Sequence, residues 1–132
     1  MKNLLRLTAV LGALAVVLGA FGAHGLKSLV GPAELDTFAT GVRYHFYHTL
    51  AIGLVAAVFR TGGISRPQLN WAARCWTIGV LLFSGSLYLL SLRSQLPFSV
   101  SWLGPVTPIG GTFFIAGWVL LFLATAKISK HV

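Results

Sequence analysis

The chain has very few charged residues, and acidic residues are almost absent. Of its 132 residues, ten are Lys or Arg and two are Asp or Glu, so charged residues make up only 9% of the sequence. A soluble domain contains about a quarter charged residues, because its surface must face water. With 56% hydrophobic residues, these charges cannot cover a globule in water. The composition therefore predicts a protein whose outer surface faces lipid.

Other absences narrow the class of protein further. The single Cys75 excludes an intrachain disulfide. A phosphate-binding glycine loop, a zinc-protease HExxH motif and a nucleophile elbow are all missing, so we predict neither an enzyme nor a cofactor. The formal net charge is +8, but the basic residues stand singly at the edges of apolar segments. This pattern is typical of membrane orientation and argues against nucleic-acid binding.

Four apolar segments dominate the chain. A helix that crosses a bilayer needs about 20 mostly apolar residues, so we predict an all-α membrane protein, a single four-helix transmembrane domain over residues 1–132. The first apolar segment is longer than that of a signal peptide and three more follow, so we expect it to be retained. The predicted transmembrane helices cover approximately residues 4–23, 44–59, 71–92 and 110–126.

A short amphipathic helix is predicted over residues 32–42, between the first and second transmembrane helices. Pro32 stands in its first turn, followed by Glu34 and Asp36 at the end where the helix dipole favours acidic side chains. The segment either lies at the membrane interface or leads directly into the second transmembrane helix. Its apolar stripe consists of Leu35, Phe38 and Val42.

Lys and Arg residues are distributed unevenly between the two sides of the membrane. With the N-terminus inside, seven face the cytoplasm and three face the outside. Because cytoplasmic segments are enriched in Lys and Arg, we expect both termini to be cytoplasmic. The seven are Lys2, Arg6, Arg60, Arg66, Arg74, Lys127 and Lys130, and the three are Lys27, Arg43 and Arg93.

Small residues recur on one face of the first helix, at Gly12, Ala15, Gly19 and Gly22. On a transmembrane helix this spacing forms a packing seam that lets another backbone approach closely. The seam serves either the fold of the bundle or a homodimer, and the sequence leaves both alternatives open.

Polar residues that are unusual in a membrane gather in the outer half of the predicted bundle. Ionisable groups at membrane depth are costly, so they tend to face an interior or a wet cavity and to serve a function. On the third helix, Ser84, Tyr88 and Ser91 form a stripe of hydroxyl groups at helical spacing. This hydroxyl stripe favours interhelical hydrogen bonds over the lining of a cavity. The candidate functional cluster consists of His24, Glu34, Asp36, Arg43, Tyr44, His45, His48, Ser84, Tyr88, Ser91 and Arg93.

Several chemistries compete for the histidines of this cluster. His45 and His48 are three residues apart on one helix, a spacing that can bind one metal ion, with His24 or an acidic residue as a further ligand. A haem held between His24 and a histidine of the second helix is another alternative, and proton acceptance during transport is a third. The favoured interpretation is structural: Arg43 pairs with Glu34 or Asp36, and the histidines form hydrogen bonds at the headgroup level. No metal site is predicted.

Four ordered motifs resemble a known family. They are GAFGAHGL at 19–26, YHFYHTLA at 44–51, FSGSLY at 83–88, and GPVTPIGG at 104–111 with Gly117-Trp118 behind it. Over nearly its whole length the chain resembles domain-of-unknown-function family 423, small bacterial inner-membrane proteins with eukaryotic relatives called transmembrane protein 256. The resemblance implies a four-helix protein of the bacterial cytoplasmic (inner) membrane, and it implies no activity.

These observations predict a non-enzymatic membrane protein that acts by association, as an oligomer, a lipid binder or an accessory subunit of a membrane complex. The alternative is a small oligomeric transporter or channel, in which Arg43, His48 and the hydroxyl stripe line a pathway. A second alternative is a metal- or haem-binding protein that uses the outer histidines. The expected partners are the lipid bilayer and further copies or subunits, and nucleic acid is not among them.

Overall fold

The structure is a computed structural model that describes residues 2–59 and 64–126. Within these ranges every regular element is helical. The first helix agrees closely with the helix predicted over 4–23. The α-helices are α1 (Lys2–Ala23), α2 (Pro32–Val58), α3 (Arg66–Gly79), α4 (Gly85–Ser91) and α5 (Val106–Ala126).

The helical segments expose apolar side chains. Val17, Leu81 and Phe122 are between 63% and 71% exposed, a surface that suits lipid and would associate in water. A π-helical turn, Val80–Ser84, joins α3 to α4 without a break. Three segments of the described chain are long and apolar enough to cross a membrane: Lys2–Ser28, Arg66–Ser91 and Ser101–Thr125.

Helix α2 corrects the prediction of a separate amphipathic helix over 32–42. Gly31 precedes the helix and Pro32 stands in its first turn, as the sequence predicts, but α2 then continues without interruption to Val58. Gly41, a weak helix former near the predicted break, is buried against the Tyr88 ring, so that packing supports the helix there. The helix predicted over 44–59 is the second part of α2.

The other two predicted helices begin a few residues earlier than expected. The helix predicted over 71–92 begins at Arg66, because Pro67 is accommodated in the first turn. The helix predicted over 110–126 begins at Val106. Pro108 stands in its first turn, where a missing backbone N–H costs no hydrogen bond.

Helix α2 lies at the centre of the bundle. It packs against α1, α3 and α4, whereas α3 pairs with α5 and α1 packs chiefly on α2. Polar residues of α2 are buried, among them His45, His48 and Thr49. Neighbouring helices supply hydrogen-bond partners that lipid cannot offer, which explains how the central helix can contain these polar residues.

The small-residue seam of α1 forms its contact with α2. Ala15 is 1% exposed, Gly19 lies beside Val42, and Gly22 lies beside the ring of Phe38. The seam therefore contacts α2 within the chain, but its end at Gly19 and Gly22 also borders a groove. The homodimer stays a prediction.

The approach of α3 to α5 depends on glycine. A Cβ at Gly117 would overlap the indole of Trp76, and one at Gly110 would overlap the backbone of Phe83. Trp76 is fully buried and donates its Nε1–H to the carbonyl of Phe114 at 3.3 Å. Glycine at these α5 positions lets the two helices pack closely.

Candidate functional site

His48 lies at the contact between α2 and α5. It is 4% exposed, and its ring stacks on Phe114 with centroids 3.5 Å apart and planes 6° from parallel. Its Nδ1 is 2.8 Å from the carbonyl of Tyr44, and its Nε2 is 3.2 Å from the indole nitrogen of Trp118. A carbonyl only accepts and an indole N–H only donates, so the network assigns a neutral imidazole with its proton on Nδ1.

Both ring nitrogens of His48 are therefore engaged within the fold. A metal or haem ligand needs a nitrogen lone pair, and the lone pair on Nε2 accepts the hydrogen bond from Trp118. Among residues 2–59 and 64–126, no group of three or more His, Cys, Asp and Glu side chains is arranged to hold a metal ion.

His45, one turn earlier on α2, contacts a different neighbour. It is 3% exposed, and its Nδ1 lies 2.9 Å from the hydroxyl of Tyr88 on α4. The imidazole also faces the backbone of Leu11 on α1, but within the described residues Nε2 has no hydrogen-bond partner. His45 and His48 thus diverge, one toward α4 and the other toward α5, and are not brought onto a common ligand.

The helical turn that precedes Tyr88 is distorted. Val80–Ser84 is π-helical, an arrangement that is frequent at functional sites. Ser84 is fully buried, and its Oγ forms no hydrogen bond with any described residue, although the Tyr88 phenol is near. Ser91 is buried too and bonds to the Tyr88 carbonyl at 2.8 Å. Tyr88 thus makes the interhelical hydrogen bond that the sequence favours.

The charged members of the predicted cluster lie apart from the buried histidines. Arg93 approaches Glu34 to 3.4 Å, and Arg43 approaches Asp36 to 3.9 Å. His24 is exposed just after the end of α1, and its side chain forms no hydrogen bond within the described part of the chain. The predicted cluster therefore divides into three groups: outer charged residues, the His45–Tyr88 contact, and the surroundings of His48.

A groove of about 650 Å³ opens beside His48, between α2 and α5. Its walls are mainly aromatic, and the rings of Tyr44 and Phe83 are 4.8 Å apart. Tyr47 and Ile115 on its edges are 56% and 67% exposed, so the groove opens sideways, toward lipid. Its lining residues are Tyr44, Tyr47, His48, Phe83, Pro108, Gly111, Thr112, Phe114, Ile115 and Trp118.

The groove extends from the first turn of α5, at Pro108, to the middle of the bundle, at His48. Helices α1 and α2 run antiparallel, with Gly12 beside Thr49 and Gly53 beside Thr8. Gly12 is close to the midpoint of the 22-residue α1, so His48 lies about half-way along the thickness that α1 spans. This position lies deeper than the headgroup level at which the sequence places the histidines.

The α5 half of the groove is absent from the residues that the sequence predicts. Gly111, Phe114 and Trp118 stand at i, i+3 and i+7, a spacing that places them on one helix face. This spacing is the feature of the sequence that indicates the α5 side of the groove, but a helix face packed in a core has the same spacing. The contact with His48 is what identifies the face as part of the site.

The fold and the site define a class, a small helical membrane protein with an apolar outer surface and a central helix that buries polar side chains. Within this class the chain belongs to the family described as "Protein of unknown function (DUF423)", which matches residues 18–111. The four sequence motifs predict this family, and the match confirms it.

Relatives of similar length share well over a third of the sequence. The UPF0382 membrane protein YwdK of Bacillus subtilis (strain 168) is 41% identical over 128 residues, which are 96% of this chain and 98% of the relative. The UPF0382 inner membrane protein YgdD of Escherichia coli (strain K12) is 38% identical over 130 residues, 98% of this chain and 93% of the relative. No solved structure matches the chain.

Proposed function

We propose that the chain is a four-span protein of the bacterial cytoplasmic membrane that acts without catalysis, by binding a membrane-dissolved molecule in the groove between α2 and α5. The observation that carries this proposal is the aromatic groove, which opens toward lipid and reaches the middle of the bundle. Its volume lies within the range of about 300–1,000 Å³ that is usual for small-molecule sites.

The pairing of α1 with α2 supports α2 as the fourth span. Thr8 of α1 lies beside Gly53, and Gly22 lies beside Phe38, so the two helices run side by side over most of the length of α1. Because α1 is long and apolar enough to cross a membrane, a helix that accompanies it crosses the same thickness. The buried polar residues of α2 face protein and cost little there.

The distribution of basic residues supports cytoplasmic termini. Lys2 and Arg6 stand at the start of α1, and Arg74 lines a groove between this end of α1 and α3. Lys27 and Arg93 lie at the opposite end of the bundle, where the acidic residues are also found. Lys and Arg are enriched on the cytoplasmic side. Three residues of the predicted cytoplasmic set, Arg60, Lys127 and Lys130, lie outside the described residues.

The chemistry of the groove favours a flat or chain-like apolar molecule that carries a hydrogen-bond acceptor. Aromatic rings offer faces for stacking and a large apolar area. Tyr44 and Tyr47 line the groove and are 40% and 56% exposed, so their hydroxyl groups can donate hydrogen bonds to a bound molecule. His48 contributes its ring and no free donor, because both of its nitrogens are already bonded.

Native mass spectrometry of protein released from nanodiscs of bacterial lipid tests this proposal. The informative variant is Gly111→Leu, because the nearest atom to a Cβ there is Cδ2 of Phe83 at 3.7 Å, which leaves room for a side chain in the groove. The matched control is Gly85→Leu, since no atom lies within 4 Å of a Cβ there and Gly85 does not line the groove.

We expect the wild type and Gly85→Leu to retain one defined adduct and Gly111→Leu to lose it by at least about ten-fold, equivalent to about 1.4 kcal/mol. An adduct that survives Gly111→Leu would contradict the proposal, as would a wild type without one. A bare dimer that Gly111→Leu dissociates would also contradict it and assign the groove to a second copy. The transporter and the metal or haem alternatives stay predictions, and a metal or haem would add its own mass.

A further inference from the structure

A second groove lies between α1 and α2, near the end of the bundle where the chain passes from one helix to the other. Its volume is about 360 Å³. The floor is apolar and is formed where glycines of α1 face α2, whereas the rim carries two cations. The principal lining residues are Gly19, Gly22, Phe38, Val42, Lys27 and Arg43.

Arg43 lies deep for a charged residue with an exposed side chain. Gly12 marks the middle of α1 and lies beside Thr49, six residues after Arg43. At about 1.5 Å per residue, the backbone of Arg43 lies about 9 Å from the mid-plane. The hydrocarbon region extends about 15 Å from the mid-plane, so the backbone of Arg43 is within it. Yet its side chain is 54% exposed.

The side chain of Arg43 extends along α2 toward the N-terminal end of that helix, at the membrane surface. Its guanidinium donates to Oγ1 of Thr40 at 2.9 Å and approaches Asp36 to 3.9 Å. This is the snorkelling geometry that long basic side chains adopt near helix ends. Asp36 is itself 82% exposed and lies at a distance that allows only a loose pair, so the cation keeps a face that an additional anion can approach.

Lys27 adds a second positive charge to the same rim. Glu34 lies nearby in sequence but approaches Arg93 on the other side of α2, and Lys27 makes no ion pair with any described residue. One weakly paired and one unpaired cation therefore border an apolar groove. This combination is complementary to a molecule with an anionic head and a hydrocarbon chain.

We propose that this groove binds one anionic phospholipid, with its phosphate between Lys27 and Arg43 and an acyl chain along Gly19 and Val42. A free phosphate would leave the apolar floor uncovered, and a purely apolar molecule would leave the two cations without an anion. The site is separate from the groove beside His48 and does not depend on a ligand there.

Native mass spectrometry in mild detergent, with added phosphatidylglycerol or phosphatidylcholine, tests the proposal. The Lys27→Gln/Arg43→Gln variant removes both cations, and Arg93→Gln is the control with a single charge loss at the same end of the bundle. Gly19→Leu fills the floor without a change of charge, since a Cβ there lies 3.5 Å from Cγ1 of Val42, an ordinary contact. Each basic residue near a headgroup contributes about five-fold in affinity.

We expect the wild type to prefer phosphatidylglycerol, and the double variant to bind it about twenty-five-fold more weakly, as two such contributions combine. Gly19→Leu should weaken both lipids, and Arg93→Gln should change neither. Equal binding of the two lipids by the wild type would overturn the proposal, and so would an equal loss in Arg93→Gln and the double variant. Gly111→Leu should leave this binding intact, which separates the result from the test of the other groove.

Discussion

His45 and His48 are one helical turn apart on the same buried helix, yet their surroundings differ in kind. On the α5 side, His48 has both nitrogens bonded and its ring stacked on Phe114. On the α1 and α4 side, His45 bonds to Tyr88 alone, and its other nitrogen has no partner among the described residues. In the first region both nitrogens of the histidine have hydrogen-bond partners, although a groove opens beside the ring, whereas the second region contains unsatisfied polar groups.

This comparison shows that the hydrogen-bond partners of a buried histidine depend on the helix that it faces. Polar groups buried away from water require partners, and α5 supplies them to His48 through Trp118. On the other side the partner of His45 is a hydroxyl next to a π-helical turn and the unbonded Oγ of Ser84. The α5 side should therefore account for more of the stability, and the following substitutions test that difference.

The largest expected effect comes from opening the α3–α5 contact with Gly117→Leu. A Cβ there overlaps the buried indole of Trp76, so α5 must move away and His48 loses its partners. Overpacking costs about 1–3 kcal/mol and occasionally more, and we expect the upper end of this range here because the overlap is with a fully buried indole. Unfolding by sodium dodecyl sulfate, followed by circular dichroism, measures it. Gly12→Ala is the control, because the nearest atom to its Cβ is 3.8 Å away, and a similar loss in both would refute the explanation.

Replacement of His48 with Phe should have the next largest effect. The variant keeps a ring on Phe114 but removes the acceptor for the Trp118 indole and the donor to Tyr44. Side-chain hydrogen bonds between membrane helices contribute about 0.6 kcal/mol on average and up to about 1.7, so we expect a loss of about 1–2 kcal/mol in the same unfolding assay. A variant as stable as the wild type would show that these two hydrogen bonds do not contribute to the free energy of unfolding.

His45→Phe should destabilise less, by about 0.6 kcal/mol, because only one hydrogen bond is lost. Part of this loss is the cost of burying the Tyr88 hydroxyl without a hydrogen-bond partner. Removal of both groups in His45→Phe/Tyr88→Phe should therefore recover most of the stability, as expected when both partners of a buried bond become apolar. A double-mutant cycle measures the coupling, and strictly additive losses would contradict the assignment of this bond.

The smallest effect is expected at the outer charged residues. Arg93→Gln removes the 3.4 Å approach to Glu34, an exposed pair that contributes less than about 0.5 kcal/mol. The unfolding curve should be unchanged within error at moderate salt. A loss as large as that of His48→Phe would show that stability is determined at the end of the bundle with the Arg93–Glu34 pair, and not at the contact with α5.

The sequence predicts where the helices lie in the chain better than it predicts which helices pack against each other. The apolar segments identify α1, α3 with α4, and α5, and the motifs identify the family. For α2 the sequence leaves two alternatives open, a separate amphipathic helix or one that leads directly into the second transmembrane helix. It cannot decide between them because Arg43 and the histidines lower the hydropathy of α2, while its burial depends on other helices. Likewise, three residues along a helix separate His45 from His48 by about 60°. That angle lies within the reach of one metal ion, and only the packing of α4 and α5 shows that the two rings diverge.

The central claim, that the groove beside His48 holds a membrane-dissolved molecule, is tested most directly by photo-crosslinking in native membranes. A photoreactive residue replaces Ile115, which lines the groove and is 67% exposed, or Phe122, which is 71% exposed on the same helix outside the groove. We expect one adduct of defined mass at position 115 and a mixture of bulk lipids at position 122. The same mixture at both positions would contradict it.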